Sequence, residues 1–324
     1  TEASFLFASE MKAIMAFGIP KKIDYNSVHE YFRYNYIPSP NSIFEDVKKL
    51  EPGHFLKIED DGSCEIKQYY KIPNEEMNSK KYHFNNYELA QETLRNELEK
   101  SVQLRLVSDV PLGTFLSGGI DSSVITALAA KHKPNLNTFS VGFSDNAYFD
   151  ETQYANLVAK MHKTNHTVFS LSNKDLYNNL NEILEYIDEP FADSSAIPTM
   201  LVSKLARQHV TMTLSGDGGD EQFLGYGMYN WAKRLDNPLV KLFGKPLRYA
   251  FSKSNQRHKR ASDMFGYTED ATLPSHIFSV EQYFFSDKEL QKAMRPHFIS
   301  SLNLKENLGK ELGLNAQENQ AFFD

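Results

Sequence analysis

Two short stretches hold residue types that do chemistry, at a spacing that packing alone does not require. The first is Ser117-Gly118-Gly119-Ile120-Asp121-Ser122-Ser123. Adjacent glycines let a backbone approach an anion closely and tolerate positive φ. The hydroxyls of Ser117, Ser122 and Ser123 add donors, and a helix opening there offers free N–H groups and its dipole to a phosphate. Counted from Gly113, the run nearly fits the GxxxxGK(S/T) phosphate loop, but Gly119 stands where the Lys is required, which disfavours an ordinary P-loop NTPase. Asp121 adds a constraint. A carboxylate inside an anion-binding loop repels phosphate unless a cation lies between them, and Mg²⁺ is the usual hard ion for that task. The second stretch, Ser215-Gly216-Asp217-Gly218-Gly219-Asp220-Glu221, sets three acids among three glycines. Together the stretches point to ATP with its polyphosphate held through Mg²⁺. Simpler readings exist for each: Asp121 or Ser122 caps a helix, and the second stretch is a solvent-facing acidic turn.

Both stretches must be positioned by something, and the surrounding pattern says what. Leu94, Leu98, Val102 and Leu106 recur every fourth position, the stripe of an amphipathic helix. Apolar runs then alternate with helical segments: 112–116 and 122–132, 138–143 and 151–162, 167–171 and 174–187, then helix 196–208 and run 210–214. That order predicts an α/β domain, a parallel sheet flanked by helices on both faces. Each of the two stretches follows an apolar run, at the carboxyl end of a predicted strand, where ligands bind in open sheets of this class. Residues beyond Tyr226 read as helical, broken by a basic stretch at 253–260 that reads as a solvated loop.

The amino-terminal part reads differently, as strands with one helix. Phe5-Leu6-Phe7-Ala8 is a short apolar run, and Asp24 or Asn26 can cap a helix with Val28, Tyr31 and Phe32 on one face. Pro52-Gly53 is a turn, and 54–58 alternates as a strand. Asp61-Gly62 then offers a hairpin into 64–69. From 72 to 86 the chain is polar and rich in Asn, the composition of a linker. The expected division is therefore 1–71, a linker at 72–86, and a domain at 87–324.

A net charge of −7 argues against a broad nucleic-acid surface or a polybasic membrane anchor. Apolar residues at 41% and charged ones at 24% rule out disorder throughout. The single cysteine, Cys64, cannot form an intramolecular disulfide or a multi-cysteine zinc site, and it favours a reducing, cytoplasmic setting. The sequence holds no apolar run of about 18 residues and no basic-then-apolar signal segment. The chain begins at Thr1 rather than Met and reads as a piece that starts inside a domain.

At these residues the sequence resembles the PP-loop ATP pyrophosphatase superfamily, whose signature SGGxDSS is matched in full at 117–123. Within it, the chain is most similar to the glutamine-hydrolysing asparagine synthetase family. The similarity rests on 105–113 (RLVSDVPLG), 139–143 (FSVGF), 188–198 (DEPFADSSAIP), the acidic stretch 215–221, and Gly225-Tyr226. Residues 7–13 (FASEMKA) and Pro52-Gly53-His54 resemble the end of that family's glutaminase domain. The resemblance implies an adenine nucleotide α-hydrolase-like sheet preceded by the β-rich end of an Ntn-type glutaminase domain. It also implies a two-step ligase. The side-chain carboxylate of aspartate attacks the α-phosphate of ATP to give β-aspartyl-AMP and pyrophosphate, and glutamine-derived ammonia then displaces AMP to give asparagine.

By the same resemblance, Leu116, Val141, Ser215 and Gly216 contact the nucleotide, and Ser117, Gly118, Gly119, Ser122 and Ser123 cradle pyrophosphate. Asp121 and Asp220 hold Mg²⁺. Asp217 is the catalytic candidate. It stands where some relatives carry a Glu assigned to the ammonia step as a base, and its side chain is one carbon shorter. The implied partners are small molecules, namely aspartate, ATP, and glutamine or ammonia, with room for a homodimer.

Departures from the family bound these expectations. The glutaminase nucleophile is an amino-terminal Cys whose own amine is the base, and this chain has none. Thr1 is not read as its substitute, because its neighbours match the far end of that domain, and Cys64 is read as structural. A later segment with a Lys that stabilises the second transition state is expected past Asp324. The chain is thus expected to be a fragment lacking both ends, able to bind ATP and to turn over poorly or not at all. Two rivals remain. One is a β-lactam synthetase-like enzyme, or an amidotransferase acting on another carboxylate. The other is a nucleotide-binding module without chemistry, which would not need three carboxylates in its second loop. His162 and His166 are read as surface histidines rather than a metal pair, and the aromatics between Tyr25 and Tyr87 as core and hairpin packing.

Overall fold

The computed structural model describes residues 5–71, 84, 86–148, 150–254 and the positions 259, 261–262, 264–265, 285, 290 and 292–293. The chain divides into two compact units: one built from the described residues of Thr1–Lys67, Asp188–Ala192 and Glu221–Asp324, the other from Gln68–Ile187 and Asp193–Asp220.

The first unit opens with helix α1 (Met11–Ala16) and helix α2 (Tyr25–Tyr34). Asp24 caps α2 by accepting from the Asn26 N–H at 3.0 Å and the Ser27 hydroxyl at 2.8 Å. Asn35 ends it in the left-handed region at φ 65°. Glu10 gives α1 no side-chain cap. The Met11 N–H instead donates to Asp188 Oδ2 at 2.6 Å, and Lys12 pairs with the same carboxylate at 2.7 Å. Glu189 accepts from the Ile43 N–H at 3.2 Å and pairs with Lys49. The Ala192 N–H donates to the Asn35 carbonyl at 2.8 Å. Residues 188–192 thus complete the hydrogen bonding of this unit. Its core gathers Met11, Ile37, Ile43, Phe44 and Val47, with Ile14, Met15, Val28 and Tyr31 against them.

Strands β1 (His54–Ile58) and β2 (Cys64–Gln68) form a two-stranded sheet, the expected hairpin, turning at Gly62 with φ 80°. The expectation of strands with one helix for 1–70 needs correction. Phe5-Leu6-Phe7-Ala8 forms no strand, and Phe7 is 86% exposed. Met11, Ile14 and Met15, spaced by three and four, make a second helix instead. Cys64 is exposed rather than packed.

The second unit starts with α3 (Tyr87–Arg105), capped by Asn86 accepting from the Leu89 N–H at 3.1 Å. Then follow β3 (Leu112–Phe115), α4 (Ile120–His132), β4 (Asn137–Phe143), α5 (Thr152–His162) and β5 (Asn165–Leu171). Next are α6 (Asn173–Asn178), α7 (Leu180–Tyr186), α8 (Ala196–Ala206) and β6 (Met212–Leu214). The expected single helix at 174–187 is two, because Asn179 ends α6 and opens α7 while its side chain bonds the Asp175 carbonyl at 2.8 Å. The four strands lie in the order β5-β4-β3-β6, with every pairing parallel. On one face, Leu112 packs with Val102 of α3 and Leu128 and Ala129 of α4, and Leu116 with Ala155 and Ala159 of α5. On the other, Phe139 packs with Ala206 of α8, Phe115 and Phe169. This is the expected parallel sheet flanked by helices.

Past β6 come α9 (Gly219–Gln222), α10 (Gly227–Asp236), α11 (Pro238–Leu242) and α12 (Gly244–Ser252). The last three return to the first unit, where Leu235, Met264 and Phe265 pack with Tyr226, Trp231 and Phe251. Residues 72–83 and 85 of the expected linker, and most of the basic stretch 253–260, lie outside the described residues. Among the described residues, no helix is long and apolar enough to cross a membrane.

Candidate active site

The chain lays down β3, β4 and β5 in one direction across the sheet, then returns to place β6 on the other side of β3. The order therefore reverses between β3 and β6, and the crevice at the carboxyl ends of those strands is where such sheets take ligands. The 116–119 and 215–218 loops leave these two strand ends. Thr114 sits opposite Leu214 in the register, so both loops depart at nearly the same height.

The loops are in contact. A Cβ built on Gly216 would lie 2.7 Å from the Ser122 nitrogen and 2.9 Å from Asp121 Cβ; one on Gly219 would lie 2.6 Å from Asp121 Cγ. Only a residue without a side chain leaves room there. Gly118 is equally confined: its φ of 91° disfavours any other residue, and a Cβ on it would lie 2.6 Å from Tyr154 Cβ on α5. Asp121 and Asp220 are thereby brought to one rim. Asp121 is half-buried in the first turn of α4, and Asp220 is exposed in α9.

The serines hold the first loop in shape. The Ser117 N–H donates to Ser122 Oγ at 3.2 Å, the Gly119 N–H donates to Ser117 Oγ at 3.2 Å, and the two hydroxyl oxygens are 2.9 Å apart. Gly119 is the N-cap of α4 and supplies no side-chain acceptor, so the first-turn N–H groups are left for an anion. Ser123 Oγ is buried and has no hydrogen-bond partner among the described residues, an orphan hydroxyl in the same turn. In the second loop, Ser215 Oγ donates to Asp217 Oδ2 at 2.8 Å, and Asp217 is exposed. Val141 lies on β4 two residues past Phe139, the partner of the last residue of β3, so β4 overruns β3 and carries Val141 to the same rim.

These features fit an anionic polyphosphate: an uncapped helix end, an unpartnered hydroxyl, and glycines where a side chain would fill the cradle. They also fit Mg²⁺, whose usual ligands are one or two carboxylates together with phosphate oxygens and water. Among the described residues, no three His, Cys, Asp or Glu side chains group into a metal set, so such an ion would draw its remaining ligands from the substrate.

Sequence reasoning misses the residues behind the loop. The expectation of His166 at the surface needs correction. It is half-buried on β5, with Nδ1 2.8 Å from Thr138 Oγ1 and Nε2 3.3 Å from Ser140 Oγ. Burial pushes its pKa below the ordinary imidazole range. A partial signal is present in the sequence: Thr138 and Ser140 are polar residues at alternating positions of β4, which puts both on one face, between the apolar Phe139 and Val141 of the other.

The asparagine synthase family model matches residues 93–312. The chain belongs to the asparagine synthase family. A glutamine amidotransferase domain model matches residues 1–70. Asparagine synthetase (glutamine-hydrolyzing) 1 of Bacillus subtilis is 38% identical over 223 residues, which is 69% of this chain and 34% of that protein. Asparagine synthetase (glutamine-hydrolyzing) 3 of the same organism is 32% identical over 247 residues, 71% of this chain and 39% of that one. The chain spans between about a third and a half of the length of the curated relatives it matches. Among solved structures, an NH3-dependent NAD synthetase from Campylobacter jejuni aligns over 72% of this chain and 96% of its own at 14% identity, with a TM-score of 0.31, too low to support an argument about fold.

Proposed function

We propose that this chain carries the nucleotide-binding part of an ATP-dependent amidotransferase ligase that makes asparagine from aspartate and glutamine-derived ammonia. The observation that supports it most is the contact of Gly216 and Gly219 with Asp121, which joins two anion-suited loops at the switch point of a parallel sheet in a member of the asparagine synthase family. A carboxylate is a poor acyl donor, and adenylation gives it a leaving group. In this reading the aspartate carboxylate attacks the α-phosphorus of ATP, the bond to the pyrophosphate oxygen breaks, and β-aspartyl-AMP forms. Ammonia then attacks the acyl carbon, AMP leaves, and a proton is lost from nitrogen.

The chain's own residues have distinct tasks in this scheme. Gly118 and the first turn of α4 hold the departing pyrophosphate with N–H groups, Gly119 leaves its backbone open to close approach, and Ser117, Ser122 and Ser123 add hydroxyls. Asp121 and Asp220 would hold Mg²⁺, which would neutralise charge on the polyphosphate. Leu116, Val141, Ser215 and Gly216 border the nucleoside, and Asp217 is the candidate base for the ammonia step. The same proposal includes the division into a glutaminase end at 1–71, a linker at 72–86 and a synthetase part at 87–324, a cytoplasmic setting and a homodimer.

Pyrophosphate release from MgATP, measured on the protein at the full length of its relatives, tests the reading. Release is expected only when aspartate is added. Equal release with and without aspartate overturns the substrate assignment.

A further inference from the structure

Next to the first loop, four side chains and one carbonyl form a hydrogen-bonded line whose direction follows from its end. Leu116 is fully buried and is the first residue past β3. Its N–H donates to the Phe139 carbonyl at 2.8 Å, and its own carbonyl oxygen accepts from the Ser140 hydroxyl. A carbonyl can only accept, so the single Ser140 proton is committed there. The lone pairs of Ser140 Oγ then face His166 Nε2 at 3.3 Å, which requires the hydrogen on Nε2. In the neutral ring, Nδ1 has no hydrogen and accepts from Thr138 Oγ1 at 2.8 Å. With its proton spent on the ring, Thr138 accepts in turn from Thr164 Oγ1 at 2.9 Å. Thr138 and Ser140 are buried, so water does not compete for these groups.

We propose that His166 is a positioning residue for the first loop: through the Ser140 hydroxyl it fixes the Leu116 carbonyl, the point from which the chain enters Ser117, Gly118 and Gly119. The Leu116 carbonyl, acting through the Ser140 hydroxyl, selects the tautomer, and the two threonine hydroxyls, which can donate or accept, follow it. In the other tautomer Nε2 would accept, compete for the Ser140 proton and leave the Leu116 carbonyl without its donor. The hydrogen bonds that shape the loop begin at Ser117, the next residue, and Gly118 is packed closely against Tyr154, so a shift of Leu116 displaces Ser117 and the loop has little room to absorb it. The functional consequence rests on the nucleotide reading of that loop, while the positioning itself is measurable without any ligand.

The test compares His166→Asn, His166→Gln, Ser140→Ala and the double variant His166→Asn/Ser140→Ala. The first readout is amide hydrogen exchange at Gly118 and Gly119 in the ligand-free chain. The second is the Kd for MgATP by titration calorimetry. His166→Asn keeps an acceptor near Thr138 but falls short of Ser140, and is expected to raise loop exchange and the Kd by about fivefold or more, the worth of one lost hydrogen bond. Ser140→Ala should do the same, and the double variant no more than either single change, because both break one line. His166→Gln, which can set an amide N–H near the place of Nε2, should restore most of the loss. Exchange at the wild-type rate in His166→Asn, equal behaviour of Asn and Gln, or additive losses in the double variant would overturn the proposal. Should His166→Asn not fold, Ser140→Ala removes a single oxygen and breaks the same line: raised exchange supports the proposal, and a wild-type rate overturns it. If the wild-type chain takes up no MgATP, the nucleotide reading fails, and the exchange measurement alone still decides the role of His166.

Discussion

Asp121 and the glycines that touch it join the two loops at the rim, and single substitutions separate their proposed parts. Asp121→Asn keeps the shape of the side chain and removes its charge. It is expected to abolish nearly all Mg-dependent pyrophosphate release in the full-length protein while circular dichroism and melting stay close to wild type; turnover near wild type would defeat its metal role. Gly216→Ala tests the joining of the loops. The added methyl would meet backbone atoms of Asp121 and Ser122 at 2.9 and 2.7 Å, and backbone cannot swing aside as a long side chain can. An overpacking cost of about 1–3 kcal/mol is expected in chemical denaturation, together with weakened MgATP binding. This part of the molecule is legible in sequence because glycine and acid placement is local. His166 is not, since its partners Thr138 and Ser140 lie on the next strand and only the β4–β5 register unites them.

At the scale of elements, the strands and helices of the sheet unit follow their patterns to within a few residues, because short runs rich in β-branched and aromatic residues alternate with longer helical segments. Helix α1 breaks that rule. Its cap comes from Asp188, 177 positions away, and nothing near Glu10 announces it. The Asp188 carboxyl is pushed up by burial but pulled down further by the Lys12 ammonium and the Met11 N–H, so its pKa lies below the ordinary carboxylate value of 3.8. A depressed carboxyl pKa adds stability that is complete above the unfolded value of about 3.8 and is lost as pH falls through the lower folded value. Asp188→Ala is therefore expected to cost about 1–2 kcal/mol near neutral pH and to flatten the acid limb of the stability curve. An acid limb unchanged in shape would show that other carboxylates set it.

On the scale of the whole molecule, the amino-terminal residues and 188–192 form one unit although β3, β4 and β5 lie between them in sequence. Charge and apolar content fit a globular chain, yet they say nothing of such interleaving, which depends on two carboxylates finding two backbone N–H groups. A peptide of residues 1–71 alone lacks Asp188 and Glu189, so the N–H groups of Met11 and Ile43 lose their acceptors. It is expected to give a poorly dispersed amide spectrum and rapid proteolysis. A dispersed, protease-resistant spectrum would show that 188–192 decorates this unit rather than completing it.

The bond from Met11 to Asp188 also sets a clock during synthesis. The two residues leave the ribosome 177 positions apart, which at bacterial or eukaryotic elongation rates is roughly 9 to 35 seconds. For that interval the segment around Met11 waits without the acceptors that finish it, and its apolar cluster of Ile37, Ile43 and Phe44 is open to the wrong neighbours. The newborn protein should thus lean on holding factors, such as chaperones, until its own residues 188–192 arrive.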